Sequence, residues 1–119
     1  NPFYEKKLIN KSGLDKSVEN FFSSDPKASS SVLKISNFIK WNIKNFMNSR
    51  NFLVFSIGCT GGKHRSVYLV EKINNVLANK LIIKKHRDLL FFYKYFFHKK
   101  RHRYINFFYT CFTNHLRIF

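Results

Sequence analysis

The sequence predicts an α/β fold in which N-terminal helices precede a buried strand, a glycine-rich loop and another helix. Three observations support this fold class. Apolar residues recur at helical spacing over residues 26–48, a continuous apolar run follows at residues 51–57, and glycines separate that run from a second periodic segment. We also expect a second parallel strand and an atypical aromatic and basic tail. The length of 119 residues suits one small domain.

Two helix start signals lie in the N-terminal part. After an irregular stretch, Asp15 is expected to cap a short helix that ends near Phe22, its carboxylate accepting from N–H groups of the first turn. Asp25-Pro26 starts a longer helix, because an N-cap is followed by the proline that suits the first helical position. Its apolar stripe comprises Val32, Ile35, Ile39, Ile43 and Phe46, widened by Phe38. The opposite side carries Lys34, Lys40 and Lys44, which fit either a solvated face or a face that docks a polyanion.

The next segment predicts a strand, a loop and a helix. Residues 51–57 (NFLVFSI) are typical of a strand covered on both faces. A helix follows from about His64, with Val67, Leu69, Val70, Ile73, Val76 and Leu77 inward and Tyr68, Glu71, Lys72 and Asn75 outward. Residues 81–85 predict a second strand, which a right-handed crossover would make parallel to the first.

Charge and cysteine content restrict the function classes. Twenty-two Lys and Arg face six acidic residues, giving a formal charge of +16, so polyanions are the expected partners. Two widely separated cysteines form neither a disulfide framework nor a metal-binding spacing, which indicates a reducing, cytoplasmic protein. No apolar run approaches the roughly 20 residues of a membrane span, so no membrane partner is expected. The chain starts without Met or a signal peptide, and we interpret it as a fragment of a longer protein.

The most informative part is the glycine-rich segment, residues 57–66 (IGCTGGKHRS), which joins a strand to a helix N-terminus. Free N–H groups and the helix dipole favour an anion at such a junction. Glycines allow left-handed angles and close backbone approach to a ligand, and several side chains that could donate to phosphate are present without an acid. We therefore predict a phosphate-binding loop, the alternative being a glycine-rich turn with incidental basic residues. Its candidate ligand-binding residues are Cys59, Thr60, Gly61, Gly62, Lys63, His64, Arg65 and Ser66.

The spacing excludes one enzyme class and leaves another open. The segment lacks the Gly, four residues, Gly-Lys-Ser/Thr order of a nucleoside-triphosphate loop. Cys59, Arg65 and Ser66 match the C-x5-R-S/T pattern of cysteine-dependent phosphatases, in which a thiolate attacks phosphorus. Gly58 stands where that class has His, and no aspartate lies in a recognisable general-acid loop. Cys59 can equally be a small residue packed at a tight turn.

At this segment the chain resembles the RapZ/YvcJ family of bacterial RNase adapters and nucleotide-binding proteins. IGCTGGKHRSVYLVE at residues 57–71 is similar to the family's C-terminal signature, NPFY and SGLD near the N-terminus to its NPxY and TGLD segments, and KHRD at residues 85–88 to its closing element. The resemblance covers residues 1–88, which we treat as an incomplete RapZ-like C-terminal domain. Phe3 replaces the His of that motif in RapZ itself, and the family's strand before NPxY is lacking.

The resemblance implies a non-enzymatic module that binds a glucosamine-6-phosphate-like ligand through Cys59, Thr60, Gly61, Gly62, His64 and Arg65. It further implies binding of small regulatory RNA, delivery of that RNA to an endoribonuclease, and a homo-oligomeric full-length protein. ATP or GTP would bind a separate N-terminal domain, so any nucleotide hydrolysis belongs there and no cofactor is expected in this fragment. Candidate RNA contacts are Lys84, Lys85, Arg87, Lys99, Lys100, Arg101 and Arg103.

Residues 89–119 depart from the family. They hold 12 of the chain's 22 aromatic residues, six basic residues and no acid, glycine or proline. Clustered cations beside aromatic rings suit RNA contacts. The same composition also fits a frameshifted or disordered C-terminus encoded by AT-rich DNA, which is the interpretation we favour. A fragment with an unpaired strand edge could also fail to fold alone.

Overall fold

A computed structural model describes residues 1–78, 82–86, 89 and 113–118 of the chain. It confirms the mixed α/β fold class, and the elements lie close to their predicted positions. After a 3-10 turn at Pro2–Tyr4, the elements in chain order are α1 (Lys16–Ser23), α2 (Pro26–Phe46), β1 (Leu53–Gly58), α3 (Arg65–Val76), β2 (Ile82–Lys85) and β3 (Thr113–Ile118).

The two N-terminal helix starts use their aspartates differently. Asp25 accepts a hydrogen bond from the backbone N–H of Lys27 at 2.9 Å, as expected for an N-cap. Asp15 precedes α1, but the prediction that it bonds to first-turn N–H groups is wrong. Its carboxylate instead accepts from the backbone N–H and the hydroxyl of Ser12, at 2.8 and 3.1 Å. Asp15 is therefore the N-cap residue by position, as predicted, while its carboxylate closes the turn before the helix.

The sheet has the strand order β1-β3-β2, with β3 antiparallel to both neighbours. β1 and β2 therefore run in the same direction, as predicted, but β3 lies between them. Gly58 pairs with Thr113 and Lys85 pairs with His115. The carboxyl ends of β1 and β2 consequently lie at the same edge of the sheet, the edge from which the glycine-rich segment departs. β3 was not predicted; the division of the chain at residue 88 stays a prediction.

One face of β1 packs on the core and the other is open, so the expected cover on both faces is wrong. Ile57 is buried, whereas Val54 is 43% exposed. The reason is that the side chains of a strand alternate between faces, and among the described residues the buried cluster packs on the face of Ile57. That cluster draws on all three helices and includes Val18, Phe22, Ile39, Leu69, Val70 and Ile73.

Three further side-chain predictions differ from the structure. Val76 of α3 is 46% exposed rather than inward. Tyr68 is buried rather than outward, because its ring packs on Phe22 with the ring centroids 5.0 Å apart. On α2, Ile39 is fully buried as predicted, but Phe38 and Phe46 are exposed and do not widen the core stripe. The lysines of α2 are exposed, as predicted.

Candidate functional site

The glycine-rich segment forms a tight turn between the end of β1 and the start of α3. The N–H of Gly62 donates to the carbonyl of Cys59 at 3.2 Å, which closes the turn. Gly62 has φ of 64°, a left-handed angle that favours glycine. Every glycine of the segment allows such an angle. Among the described glycines only Gly62 has one, and a Cβ atom at Gly61 would meet nothing within 4 Å.

The sulfur of Cys59 is the point on which this turn converges. Its Sγ lies 3.1 Å from Oγ of Ser66 and 3.4 Å from the backbone N of the same residue. Burial of the thiol acts to raise its pKa. The hydroxyl and amide of Ser66, at hydrogen-bond distance, and the nearby amides of Gly62 and Gly61 outweigh burial, so the pKa of Cys59 lies below its usual value. The segment thus stabilises negative charge at the position of Sγ.

Ser66 connects the turn to the first turn of α3. Its side chain is fully buried, and its hydroxyl lies 3.2 Å from the carbonyl oxygen of Gly62 as well as near the Cys59 sulfur. The single hydroxyl proton can be donated to the Gly62 carbonyl or to the sulfur. A thiolate is only an acceptor, so donation to sulfur is favoured once Cys59 ionises.

The N-terminal residues support the segment from its buried side. The N–H of Gly13 donates to the carbonyl of Lys63 at 2.9 Å. A Cβ atom at Gly13 would stand 2.4 Å from both the carbonyl oxygen of His64 and the backbone N of Tyr68, so only glycine fits this approach. This role of Gly13 was not predicted, although its place in the family-like SGLD stretch was a signal.

His64 is buried, whereas its neighbour Lys63 is half-buried and its neighbour Arg65 is exposed. Its Nε2 lies 3.1 Å from the backbone carbonyl of Leu8, a contact between the glycine-rich segment and the N-terminal residues. This contact positions the segment, and the same nitrogen is not available to a ligand while it is made. The hydrogen bonds from Ser12 hold the pKa of Asp15 below its usual value, and the charges of Lys11 and of half-buried Lys63 add to that effect.

Thr60 and Arg65 lie on the exposed side of the segment. Arg65 is the first residue of α3 and makes no hydrogen bond or ion pair with any described residue. A guanidinium at a helix N-terminus is suited to a phosphate group. The structure therefore gathers Cys59, Gly61, Gly62 and Ser66 around one point and leaves Thr60 and Arg65 open to solvent.

The predicted RNA contacts are only partly described. Nζ of Lys84 forms a short ion pair with the carboxylate of Glu71, and Nε2 of His86 lies 2.5 Å from the other oxygen of that carboxylate. Burial raises the pKa of Glu71, but the hydrogen bonds from His86 and Lys84 outweigh it and lower the pKa overall. Lys84 is thus engaged within the fold. Lys85 ends β2, and Arg87, Lys99, Lys100, Arg101 and Arg103 lie outside the described residues.

A surface cleft of about 520 Å³ lies among the helices, apart from the glycine-rich segment. Among the described residues on its walls, the only charged side chain is Lys72, which is already paired with Glu19 at 2.6 Å. Within the described ranges, no helix is long and apolar enough to cross a membrane, and no group of three or more potential metal ligands occurs.

Comparison with known proteins identifies relatives of most of the chain. The family model described as RapZ C-terminal domain matches residues 1–90. A nucleotide-binding protein of Thermotoga petrophila is 38% identical over 92 residues, and one of Pseudomonas fluorescens is 37% identical over 92 residues. A nucleotide-binding protein encoded in the ptsN-ptsO intergenic region of Shewanella violacea is 38% identical over 92 residues.

Each of these alignments covers 75% of this chain and 32–33% of the relative. The chain therefore corresponds to about a third of the length of the curated relatives that it matches. No solved structure matches the chain.

Proposed function

Because this chain belongs to the RapZ C-terminal domain family, we propose that it is the ligand-binding module of a RapZ-like nucleotide-binding protein. Its glycine-rich segment binds a phosphorylated ligand of the glucosamine-6-phosphate type. The observation that supports this most strongly is that the hydroxyl and the backbone N–H of Ser66 both lie at hydrogen-bond distance from the Cys59 sulfur, where they act to lower the pKa of that thiol. Donors that stabilise a thiolate are equally suited to phosphate oxygens.

The residues of the glycine-rich segment have different roles, which depend on how exposed each side chain is. Arg65, exposed and unpaired among the described residues, provides a guanidinium that can hold two phosphate oxygens at once. Thr60 and Lys63 add a hydroxyl and a cation at the rim, and Ser66 holds the turn from within. His64 acts through its contact with Leu8, which fixes the segment in place.

The remaining parts of the proposal concern the whole protein. We propose that the whole protein binds a small regulatory RNA and presents that RNA to an endoribonuclease. We also propose that it is a homo-oligomer and is cytoplasmic. ATP or GTP would bind to the two thirds of a RapZ-like protein that this chain does not span. The net charge of +16 on the present chain supports a polyanionic partner for this chain.

Calorimetric titration with glucosamine 6-phosphate, glucosamine and inorganic phosphate tests the site. We expect binding of the sugar phosphate, weaker binding of phosphate and none of glucosamine. Arg65→Ala should weaken binding by about tenfold or more, because it removes a charge-assisted bidentate contact. Arg50→Ala is the matched control, since Arg50 is also an exposed arginine but follows α2. Equal affinities of both variants would refute the proposal.

A second candidate function is hydrolysis of phosphate monoesters, which the geometry around Cys59 favours. The thiolate would attack phosphorus, forming a P–S bond while the P–O ester bond breaks and the leaving oxygen takes a proton from water. Water would then attack phosphorus, releasing inorganic phosphate and restoring the thiolate. Turnover of p-nitrophenyl phosphate that Cys59→Ser abolishes would establish it. Absence of turnover together with sugar-phosphate binding would leave the binding function alone.

A further inference from the structure

The outward side of α2 carries an unusual set of side chains. We call it the α2 outer face, and it consists of Leu33, Lys34, Phe38, Lys40, Trp41 and Lys44. Trp41 is the only tryptophan of the chain and is 56% exposed, and Phe38 is 58% exposed. Exposure of aromatic rings of this size to water is unfavourable in free energy, and these rings add nothing to the core. Their presence on the surface therefore points to contact with another molecule.

The two rings are held in place by edge-to-face contacts. Trp41 packs against Phe46 with the ring centroids 5.8 Å apart, and Phe38 packs against Phe55 at 6.1 Å. A ring held by a neighbour loses little freedom when a ligand stacks on its open side. The α2 outer face thus presents two rings, about one helical turn apart, that are ordered before any ligand binds.

Charge on this helix is of one sign. α2 contains Lys27, Lys34, Lys40 and Lys44 and no acidic residue. All four lysines are exposed, and none forms an ion pair with a described residue. The first and the last, Lys27 and Lys44, are 17 positions apart, or about 25 Å along the helix. By contrast, Lys84, the predicted RNA contact whose side chain the structure describes, is already paired with Glu71.

We propose that the α2 outer face binds single-stranded nucleic acid, with bases stacked on Trp41 and Phe38 and lysines on the phosphates. Charge complementarity requires an anionic partner, and solvent-exposed rings among cations suit unpaired bases. A membrane surface fits less well, because interfacial binding uses a continuous apolar face, and on α2 that face is buried in the core at Ala28 and Ile39. This inference rests on the RNA-binding part of the proposed function and names the surface that performs it.

Binding of the whole chain to fluorescein-labelled rU12 and dT12, followed by anisotropy, tests the proposal. Unlabelled oligomers should quench the fluorescence of Trp41, which reports directly on this surface because no other tryptophan is present. Trp41→Ala should weaken binding roughly tenfold, and Trp41→Phe should recover most of it, because base stacking on an aromatic ring contributes at this level.

The lysines are tested by the salt dependence. Lys34→Gln with Lys44→Gln should make the plot of log affinity against log salt shallower by about 1.4, since each phosphate contact on a single strand contributes about 0.7. Lys6→Gln with Lys7→Gln removes the same charge from exposed positions outside α2 and should leave most of the slope intact.

The outcomes separate this inference from the broader function. No binding of either oligomer by the wild type would overturn RNA binding altogether. Binding that is indifferent to the substitutions on α2 would overturn the α2 outer face alone. A change in Trp41 fluorescence with anionic phosphatidylglycerol vesicles or poly-glutamate as strong as that with the oligomers would also overturn this surface as a nucleic-acid site. Loss of sugar-phosphate binding in Arg65→Ala would affect none of these results.

Discussion

Gly13 provides the sharpest test of how the N-terminal residues hold the glycine-rich segment. In Gly13→Ala the new Cβ atom would lie 2.4 Å from the carbonyl oxygen of His64 and the backbone N of Tyr68, and 2.7 Å from Cβ of Val67. Two of these neighbours are backbone atoms, so no change of rotamer relieves the overlap. Overpacking of this kind costs about 1–3 kcal/mol. If the backbone at residue 13 moves away from α3 to relieve the overlap, the hydrogen bond from the N–H of Gly13 to the carbonyl of Lys63 is also weakened. Loss of that bond would cost about 1 kcal/mol of stability.

The expected destabilisation is therefore about 2–4 kcal/mol, or on the order of 10 °C in melting temperature for a chain of this size. Thermal and urea denaturation followed by circular dichroism measure it. Gly61→Ala is the matched control, because a Cβ atom there meets nothing within 4 Å and its backbone angle is not left-handed. That variant should remain within about 0.5 kcal/mol of the wild type. Equal stability of the two variants would show that Gly13 does not pack on α3 as described.

Two further predictions concern titratable groups. In a Cys111→Ser background, the rate of Cys59 alkylation by iodoacetamide should rise with pH at a lower midpoint than that of an ordinary thiol. Ser66→Ala should move this midpoint upward, because the sulfur loses its hydroxyl donor. An unchanged midpoint in Ser66→Ala would contradict the described hydrogen bond. Glu71 has a folded-state pKa below its unfolded value, so its contribution to stability is present above the unfolded value of about 4.5 and is lost as pH falls through the folded value. Glu71→Gln should therefore lower the melting temperature at pH 6 and reduce the fall in melting temperature between pH 5 and pH 3. Glu5→Gln, which changes an exposed glutamate, should behave like the wild type. A fall in melting temperature as steep in Glu71→Gln as in the wild type would refute the lowered pKa of Glu71.

Local signals in the sequence were sufficient for the helices and for β1 and β2. The Asp25-Pro26 start of α2 is an example, because an N-cap and a proline at the next position act within a few residues. β3 could not be predicted in this way. It pairs with strands about 30 and 60 residues away, and nothing in its own composition indicates that it occupies the centre of the sheet.

The candidate site shows the same division. Its anion-stabilising character was predicted from glycines and donors at the start of a helix, and the structure places the hydroxyl and the backbone N–H of Ser66 at the Cys59 sulfur. The separate role of His64 depends on Leu8, 56 residues away, and periodicity alone does not reveal such a contact. Tyr68 was assigned to the outer side of α3 for a related reason. Its burial is determined by α1, which places Phe22 against the ring.

The most direct test of phosphate binding by the glycine-rich segment is a nitrogen-15 chemical-shift titration with glucosamine 6-phosphate. We expect the backbone amides of Gly61, Gly62 and Ser66 to show the largest shifts, and glucosamine without phosphate to leave their resonances in place. Shifts centred instead on the helical cleft at Lys72 and Asn75, with the three amides unchanged, would contradict it.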